Sequence, residues 1–168
     1  VAHVGFAHPI ASRLQDALEK ACKDLGFPHS RNGTYICMEG PQFSTYAESQ
    51  LYRSWGCDVI GMTNMPEAKL AREAEIPYAT VAMVTDFDCW HPDHDNVTVE
   101  QIVKVLTGNA DHARSLIKAV APMLRERPEI DEQGGDRALD FALITHAEGR
   151  DPAVVAKLDA VAGRMLGG

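Results

Sequence analysis

Residues 78–88 read YATVAMVTDFD, and this stretch decides the fold. The apolar run Tyr78–Thr85 predicts a buried strand, and two aspartates, Asp86 and Asp88, follow its C-terminal end. Side chains two residues apart share one side of an extended chain, and ligands of open α/β sheets bind beyond the carboxyl ends of the strands. Two interpretations stay open: a pair of carboxyl groups aimed at one ligand, or a surface loop with two solvated acids.

A pair of carboxyl groups suits a ligand that presents a hydrogen-bond acceptor beside a donor. The N7 and 6-amino edge of adenine is such a ligand. A protonated Asp donates to N7, while an ionised Asp accepts from the amino group. Taken alone, residues 85–88 favour the solvated loop, and the remainder of the chain reverses that preference.

Strands and helices alternate on both sides of this stretch. Short β-rich runs predict further strands at Thr34–Met38 and Asp58–Thr63. Apolar residues at helical spacing predict helices over residues 12–25, 45–55, 65–74, 98–122, 137–144 and 152–166. This alternation is typical of a layered α/β fold.

Three of the predicted strands end in residues that suit ligand binding. These segments are Glu39–Ser44, Gly61–Asn64 and Thr85–Asp88, and all three can meet at one edge of a sheet. Phe43 lies in a Gly-Pro turn, where its ring can stack on a ligand or pack in the core. Thr63 can offer a hydroxyl and a backbone N–H to an anion, or cap the end of its strand.

The composition excludes several classes of partner. The chain has 168 residues and a formal net charge of −8, without a dense basic patch, which argues against nucleic acid and anionic membranes. No apolar run approaches the length that spans a bilayer. Four scattered cysteines without a C-x-x-C motif indicate reduced thiols and a cytoplasmic protein. The motif His91–His94 favours a solvated loop over a metal site, so no metal is expected.

Four ordered segments carry a resemblance to a known family. They are EGPQFS at 39–44, YRSWGCDVIGMT at 52–63, PEAKLAREA at 66–74 and AMVTDFDCW at 82–90. Together they resemble the S-methyl-5'-thioadenosine phosphorylases, and the resemblance runs from about His3 to Pro122. It implies a purine nucleoside phosphorylase-like fold of the trimeric type, with a central mixed β-sheet flanked by helices. It also implies a pentosyltransferase of purine and methionine salvage, which cleaves methylthioadenosine with phosphate into adenine and 5-methylthioribose 1-phosphate.

The resemblance assigns roles by matching position. Asp86 matches the acid that protonates N7 of the leaving adenine, and Asp88 matches the acid that accepts from the 6-amino group. Because Asp86 must hold a proton when the bond breaks, we expect burial and the charge of Asp88 to raise the pKa of Asp86, so that the two titrate as a coupled pair.

The other matched positions surround the rest of the substrate. Phe43 matches an aromatic that lies against the nucleoside, Ser44 a polar neighbour of the base, and Met62 a residue beneath the ribose. Two threonines match hydroxyls near the phosphate and the base, namely Thr63 and Thr85 respectively. Two valines match part of the apolar 5'-methylthio pocket, namely Val99 and Val103. His3 matches a histidine that reaches the 5' end of a substrate in the adjacent subunit.

The resemblance also implies an organisation and a set of partners. We expect residues 1–168 to be the C-terminal portion of a single phosphorylase domain, with a core at 1–122, a polar connector at 126–135 and C-terminal helices at 136–168. The N-terminal part, with most of the phosphate site, is expected to be absent. The expected partners are a nucleoside and inorganic phosphate as co-substrate, without a cofactor, in a homotrimer. A separate N-terminal fragment of the same polypeptide is a further candidate partner. Two alternatives stay open: a hydrolytic nucleosidase, and a non-catalytic fragment that binds adenine nucleosides.

Overall fold

The computed structural model describes residues 1–91, 99–125 and 131–167, with the side chains of residues 99–102 outside that description. The described elements are α1 (Ser12–Leu25), β1 (Tyr35–Cys37), α2 (Tyr46–Ser54), β2 (Val59–Gly61), α3 (Asn64–Glu73), α4 (Val99–Met123), α5 (Pro152–Lys157) and α6 (Asp159–Leu166). Short 3-10 turns occur at Asp88–Trp90, Gly135–Arg137 and Ala147–Gly149. Among these residues no helix is long and apolar enough to cross a membrane.

The strands β1 and β2 pair in parallel. Tyr35 lies opposite Val59 and Cys37 opposite Gly61, and the ladder continues where Met38 N donates to the carbonyl of Gly61 at 2.9 Å. A Cβ at Gly61 would overlap the hydroxyl of Tyr35, so a larger residue there would displace the Tyr35 side chain. Parallel strands joined through a helix confirm the α/β class. In the described part of the chain the sheet has these two parallel strands, and not the mixed pattern that was expected.

The segment Tyr78–Thr85 forms no strand in the described structure, so that prediction was wrong. The carbonyl of Tyr78 accepts from Ala11 N at 2.8 Å, and the carbonyl of Val84 accepts from the Asn109 side chain at 3.2 Å. A strand exists only where a neighbouring backbone supplies the other half of a ladder. Here these two carbonyls bond to an irregular segment and to a side chain.

The chain forms two compact units. One unit contains residues 1–16, 65–80 and 128–168, and the other contains residues 17–64 and 81–127. The second unit has an apolar core around Ala21, Leu116 and Val120. The first has a core around Leu139, Ala142 and Ala162.

The C-terminal helices differ from the predicted ones. The predicted helix at 137–144 was wrong, because Ala142 and Ile144 bond to the backbone of His3 and Val1 at 2.9 and 3.0 Å, and Leu143 forms an antiparallel bridge with Ala2. The predicted helix at 152–166 begins as expected, but it is interrupted at Leu158 and forms α5 and α6.

Candidate nucleoside site

The loops that follow β1 and β2 lie against each other in the second unit. Gly40 has φ +72°, and a Cβ at this residue would lie 2.6 Å from the sulfur of Met62. The half-buried Met62 side chain therefore packs directly on the Gly40 backbone. Ser44 Oγ donates to the sulfur of Met38 at 3.7 Å, which ties the end of the same loop to the end of β1.

A capping box sets the position where this loop becomes α2. Glu48 N donates to Thr45 Oγ1 at 3.2 Å, and Thr45 N donates to the Glu48 carboxylate at 2.7 Å. The hydrogen bonds that the Thr45 N–H and hydroxyl donate to the Glu48 carboxylate lower the pKa of Glu48. Phe43, two residues before the cap, is 83% exposed. The core interpretation of Phe43 is therefore wrong, and its ring is available to a ligand.

The two aspartates lie in a tight turn. Asp88 N donates to Asp86 Oδ1 at 3.0 Å, and Thr85 Oγ1 donates to Asp86 Oδ2 at 3.4 Å. Asp88 has φ +59° and begins the 3-10 turn Asp88–Trp90. The carboxyl groups are thus related by a side-chain-capped turn, and not by the extended geometry that the sequence suggested. Asp86 and Thr85 are exposed and Asp88 is half-buried, so core packing does not seal them off.

The turn with the aspartates contacts the loop before α2. Cys89 Sγ donates to the carbonyl of Ser44 at 3.6 Å, and the guanidinium of Arg53 lies 3.8 Å from the centre of the Trp90 ring. The Phe87 and Trp90 rings pack nearly perpendicular to each other, with ring centres 6.0 Å apart. Together with the contact between Gly40 and Met62, these contacts bring all three predicted ligand-binding segments into one region.

Comparison with known proteins identifies the family to which this chain belongs. A profile described as the phosphorylase superfamily matches residues 1–122. The chain belongs to the phosphorylase superfamily. It is 65% identical over 167 residues to an S-methyl-5'-thioadenosine phosphorylase of Rhodospirillum rubrum. The matched region covers 99% of this chain and 57% of that relative. It is 62% identical to the corresponding protein of Bradyrhizobium diazoefficiens, of which it spans 58%.

Solved structures give the same family. A methylthioadenosine phosphorylase from an Antarctic soil metagenomic library superposes with a TM-score of 0.85 at 45% identity, over 96% of this chain and 56% of that one. A double mutant of adenosine/methylthioadenosine phosphorylase from Schistosoma mansoni, in complex with adenine, superposes with a TM-score of 0.74 at 28% identity, over 86% of this chain and 57% of that one. This chain therefore spans somewhat more than half the length of these superfamily members.

The other predicted site residues whose side chains are described are exposed. Thr63 is exposed between β2 and α3, and Val103 on α4 is 55% exposed. The side chain of Val99 lies outside the described residues. His3 belongs to the first unit, where it is exposed and lines a pocket of about 370 Å³ beside Arg72. The Arg72 guanidinium is buried and donates to backbone carbonyls, those of Gly5, His8 and Gln133.

Sequence reasoning missed the contribution of Arg53 and Trp90. Both residues lie in segments that resemble the family, but no spacing rule links residues so far apart in sequence. All four cysteines are free thiols, and burial raises the pKa of Cys22. Among residues 1–91, 99–125 and 131–167 no cluster of His, Cys, Asp and Glu could hold a metal ion, and Asp93 and His94 lie outside that range.

Proposed function

We propose that this chain provides the adenine-binding part of an S-methyl-5'-thioadenosine phosphorylase. The reaction would cleave methylthioadenosine with inorganic phosphate and release adenine and 5-methylthioribose 1-phosphate. The supporting observation is the convergence of the three segments that carry Phe43, Met62 and the Asp86–Asp88 turn, in a chain that is 65% identical to a relative of that name. The chain spans 57% of that relative, so the activity of the whole protein is part of the proposal.

Asp86 is the proposed proton donor. Adenine leaves poorly as an anion, and a proton on N7 turns it into a neutral leaving group. In the proposed step the bond between C1' and N9 breaks, Asp86 gives its proton to N7, and a phosphate oxygen bonds to C1'. Asp86 Oδ1 accepts the Asp88 N–H, so Oδ2 would be the atom that gives the proton to N7. The Thr85 hydroxyl beside Oδ2 can then accept from that proton or donate to the ionised group.

The surrounding residues would recognise the rest of the nucleoside. Asp88 would accept from the 6-amino group, which distinguishes adenine from 6-oxopurines. The exposed ring of Phe43 would lie against the nucleoside, and Ser44 beside the base. Met62, held on the Gly40 backbone, would pack beneath the ribose.

The proposal extends to features outside this region. Thr63 would approach the phosphate, and Val99 and Val103 would contribute to the 5'-methylthio pocket. His3 would serve the adjacent subunit of a homotrimer. The protein would be cytoplasmic and need phosphate as co-substrate without a further cofactor, and residues 1–168 would be the C-terminal portion of a single phosphorylase domain.

An assay of adenine release tests the proposal. The samples are this chain and a chimera in which it replaces the matching 167 residues of the Rhodospirillum rubrum relative. We expect the chimera to release adenine from methylthioadenosine only when phosphate is present. Release without phosphate would instead identify a hydrolytic nucleosidase. Adenine binding by both samples without any release would identify a non-catalytic binding module.

A further inference from the structure

Arg53 makes a contact whose position suggests a role in the site. It lies near the C-terminal end of α2, and its guanidinium stacks 3.8 Å from the centre of the Trp90 ring. Trp90 ends the 3-10 turn that Asp88 begins. Arg53 also donates to Gln50 Oε1 at 3.4 Å, one turn earlier on the same helix. The guanidinium therefore links the helix to the turn that carries the aspartates.

A second contact holds Cys89, the middle residue of the same turn. Cys89 Sγ donates to the carbonyl of Ser44, which directly precedes the N-cap of α2. A helix of nine residues is about 13 Å long at 1.5 Å per residue, so the two contacts lie at opposite ends of α2. Two separated contacts restrain both the position and the orientation of the turn, whereas one contact would leave it free to pivot.

The Trp90 ring can transmit this restraint to the aspartates. The ring packs against Phe87, which lies between Asp86 and Asp88 in the sequence. Asp88 N is in turn bonded to Asp86 Oδ1 at 3.0 Å. A displacement of the Trp90 ring would therefore move the two carboxyl groups together with the turn.

We propose that Arg53 is a positioning residue for adenine recognition, which acts through Trp90 on Asp88 and Asp86. This inference rests on the proposed function, because it assumes that the two aspartates bind the purine edge. In this role Arg53 would act through its contact with Trp90 and not by touching the substrate. A planar guanidinium suits this role because it stacks on an aromatic face, whereas an ammonium group interacts only as a point charge.

Binding of adenine and hypoxanthine by isothermal titration calorimetry tests the inference. The variants are Arg53→Ala, Arg53→Lys and the control Arg114→Ala, which removes an equally charged residue from an exposed ion pair with Asp111. An exposed cation–π contact corresponds to about a two- to fivefold change in affinity. We expect Arg53→Ala to weaken adenine binding by about that factor, Arg53→Lys to restore part of it, and Arg114→Ala to bind like the unmodified chain.

Hypoxanthine binding distinguishes a positioning role of Arg53 from a general loss of structure in the site. Hypoxanthine lacks the 6-amino group that Asp88 would recognise, so Arg53→Ala should weaken hypoxanthine binding less than adenine binding. Equal losses for the two bases, or an Arg53→Ala variant that binds adenine like Arg114→Ala, would overturn the inference. An unmodified chain that binds no adenine would overturn it as well. Adenine binding without phosphate-dependent release would refute only the proposed function.

Discussion

Replacement of Gly40 by alanine tests whether the loop after β1 positions Met62. Gly40 has φ +72°, a conformation that costs an L-residue about 1–2 kcal/mol. The new Cβ would also lie 2.6 Å from the sulfur of Met62, so that half-buried side chain must move. Overpacking of this kind costs about 1–3 kcal/mol. We expect Gly40→Ala to lower the free energy of unfolding by about 2–5 kcal/mol in total.

Gly56→Ala is the matched control. Gly56 has φ +76°, but nothing lies within 4 Å of a Cβ at this position. Its replacement should cost only the backbone term of about 1–2 kcal/mol. The difference between the two variants therefore measures the contact with Met62. In a Met62→Ala background, where the clashing side chain is absent, Gly40→Ala should lower stability by little more than Gly56→Ala does.

Urea unfolding and calorimetric binding of methylthioadenosine provide the measurements. Because Met62 is proposed to lie beneath the ribose, Gly40→Ala should bind methylthioadenosine more weakly, with a smaller effect on adenine, while Gly56→Ala should bind both normally. Equal losses of stability in the two variants, together with unchanged binding in Gly40→Ala, would refute the placement of Met62.

Two further predictions follow from the charges and thiols. Arg164 lowers the pKa of Glu75 below its ordinary 4.5, so the stability from this pair is complete at neutral pH and is lost as the pH falls below 4.5. Glu75→Gln should therefore lower the Tm at pH 7 by about 2–4 °C, and this difference from the unmodified chain should shrink as the pH falls below 4.5, as thermal unfolding will show. The exposed Cys89 should react with iodoacetamide at neutral pH at least about tenfold faster than Cys22, whose pKa burial raises, and peptide mass spectrometry will test this.

Local signals predicted the ends of several helices. The dipeptide Asp151–Pro152 predicts a cap followed by a first-turn proline, and the Asp151 carboxylate accepts from Ala153 N at 2.8 Å. Gly26 follows α1 with φ +69°, as a helix-ending glycine should. These features depend on neighbours within a few residues, and the sequence contains all of that information.

The errors concern segments whose partners are distant in sequence. Apolar and β-branched residues at Tyr78–Thr85 favour a strand, but the sequence does not say which backbone will pair with it. Residues 137–144 have helical periodicity, yet Ala142 bonds to His3 across most of the chain. Tertiary contacts override weak local preferences in such segments.

The candidate site was predicted only in part for the same reason. The sequence predicted that the segments around Phe43, Met62 and Asp86 would meet, because each follows an apolar β-rich run. It did not predict that Arg53 stacks on Trp90, since that contact depends on the folded path of both segments.

Adenine release by Asp86→Asn tests the central claim most directly. In the chimera with phosphate, loss of the proton donor should reduce turnover of methylthioadenosine by about 10²–10⁴-fold, while Asp111→Asn, an exposed acid on α4, should leave it unchanged. Normal turnover in the Asp86→Asn chimera would contradict the assignment of Asp86 as the acid that protonates N7.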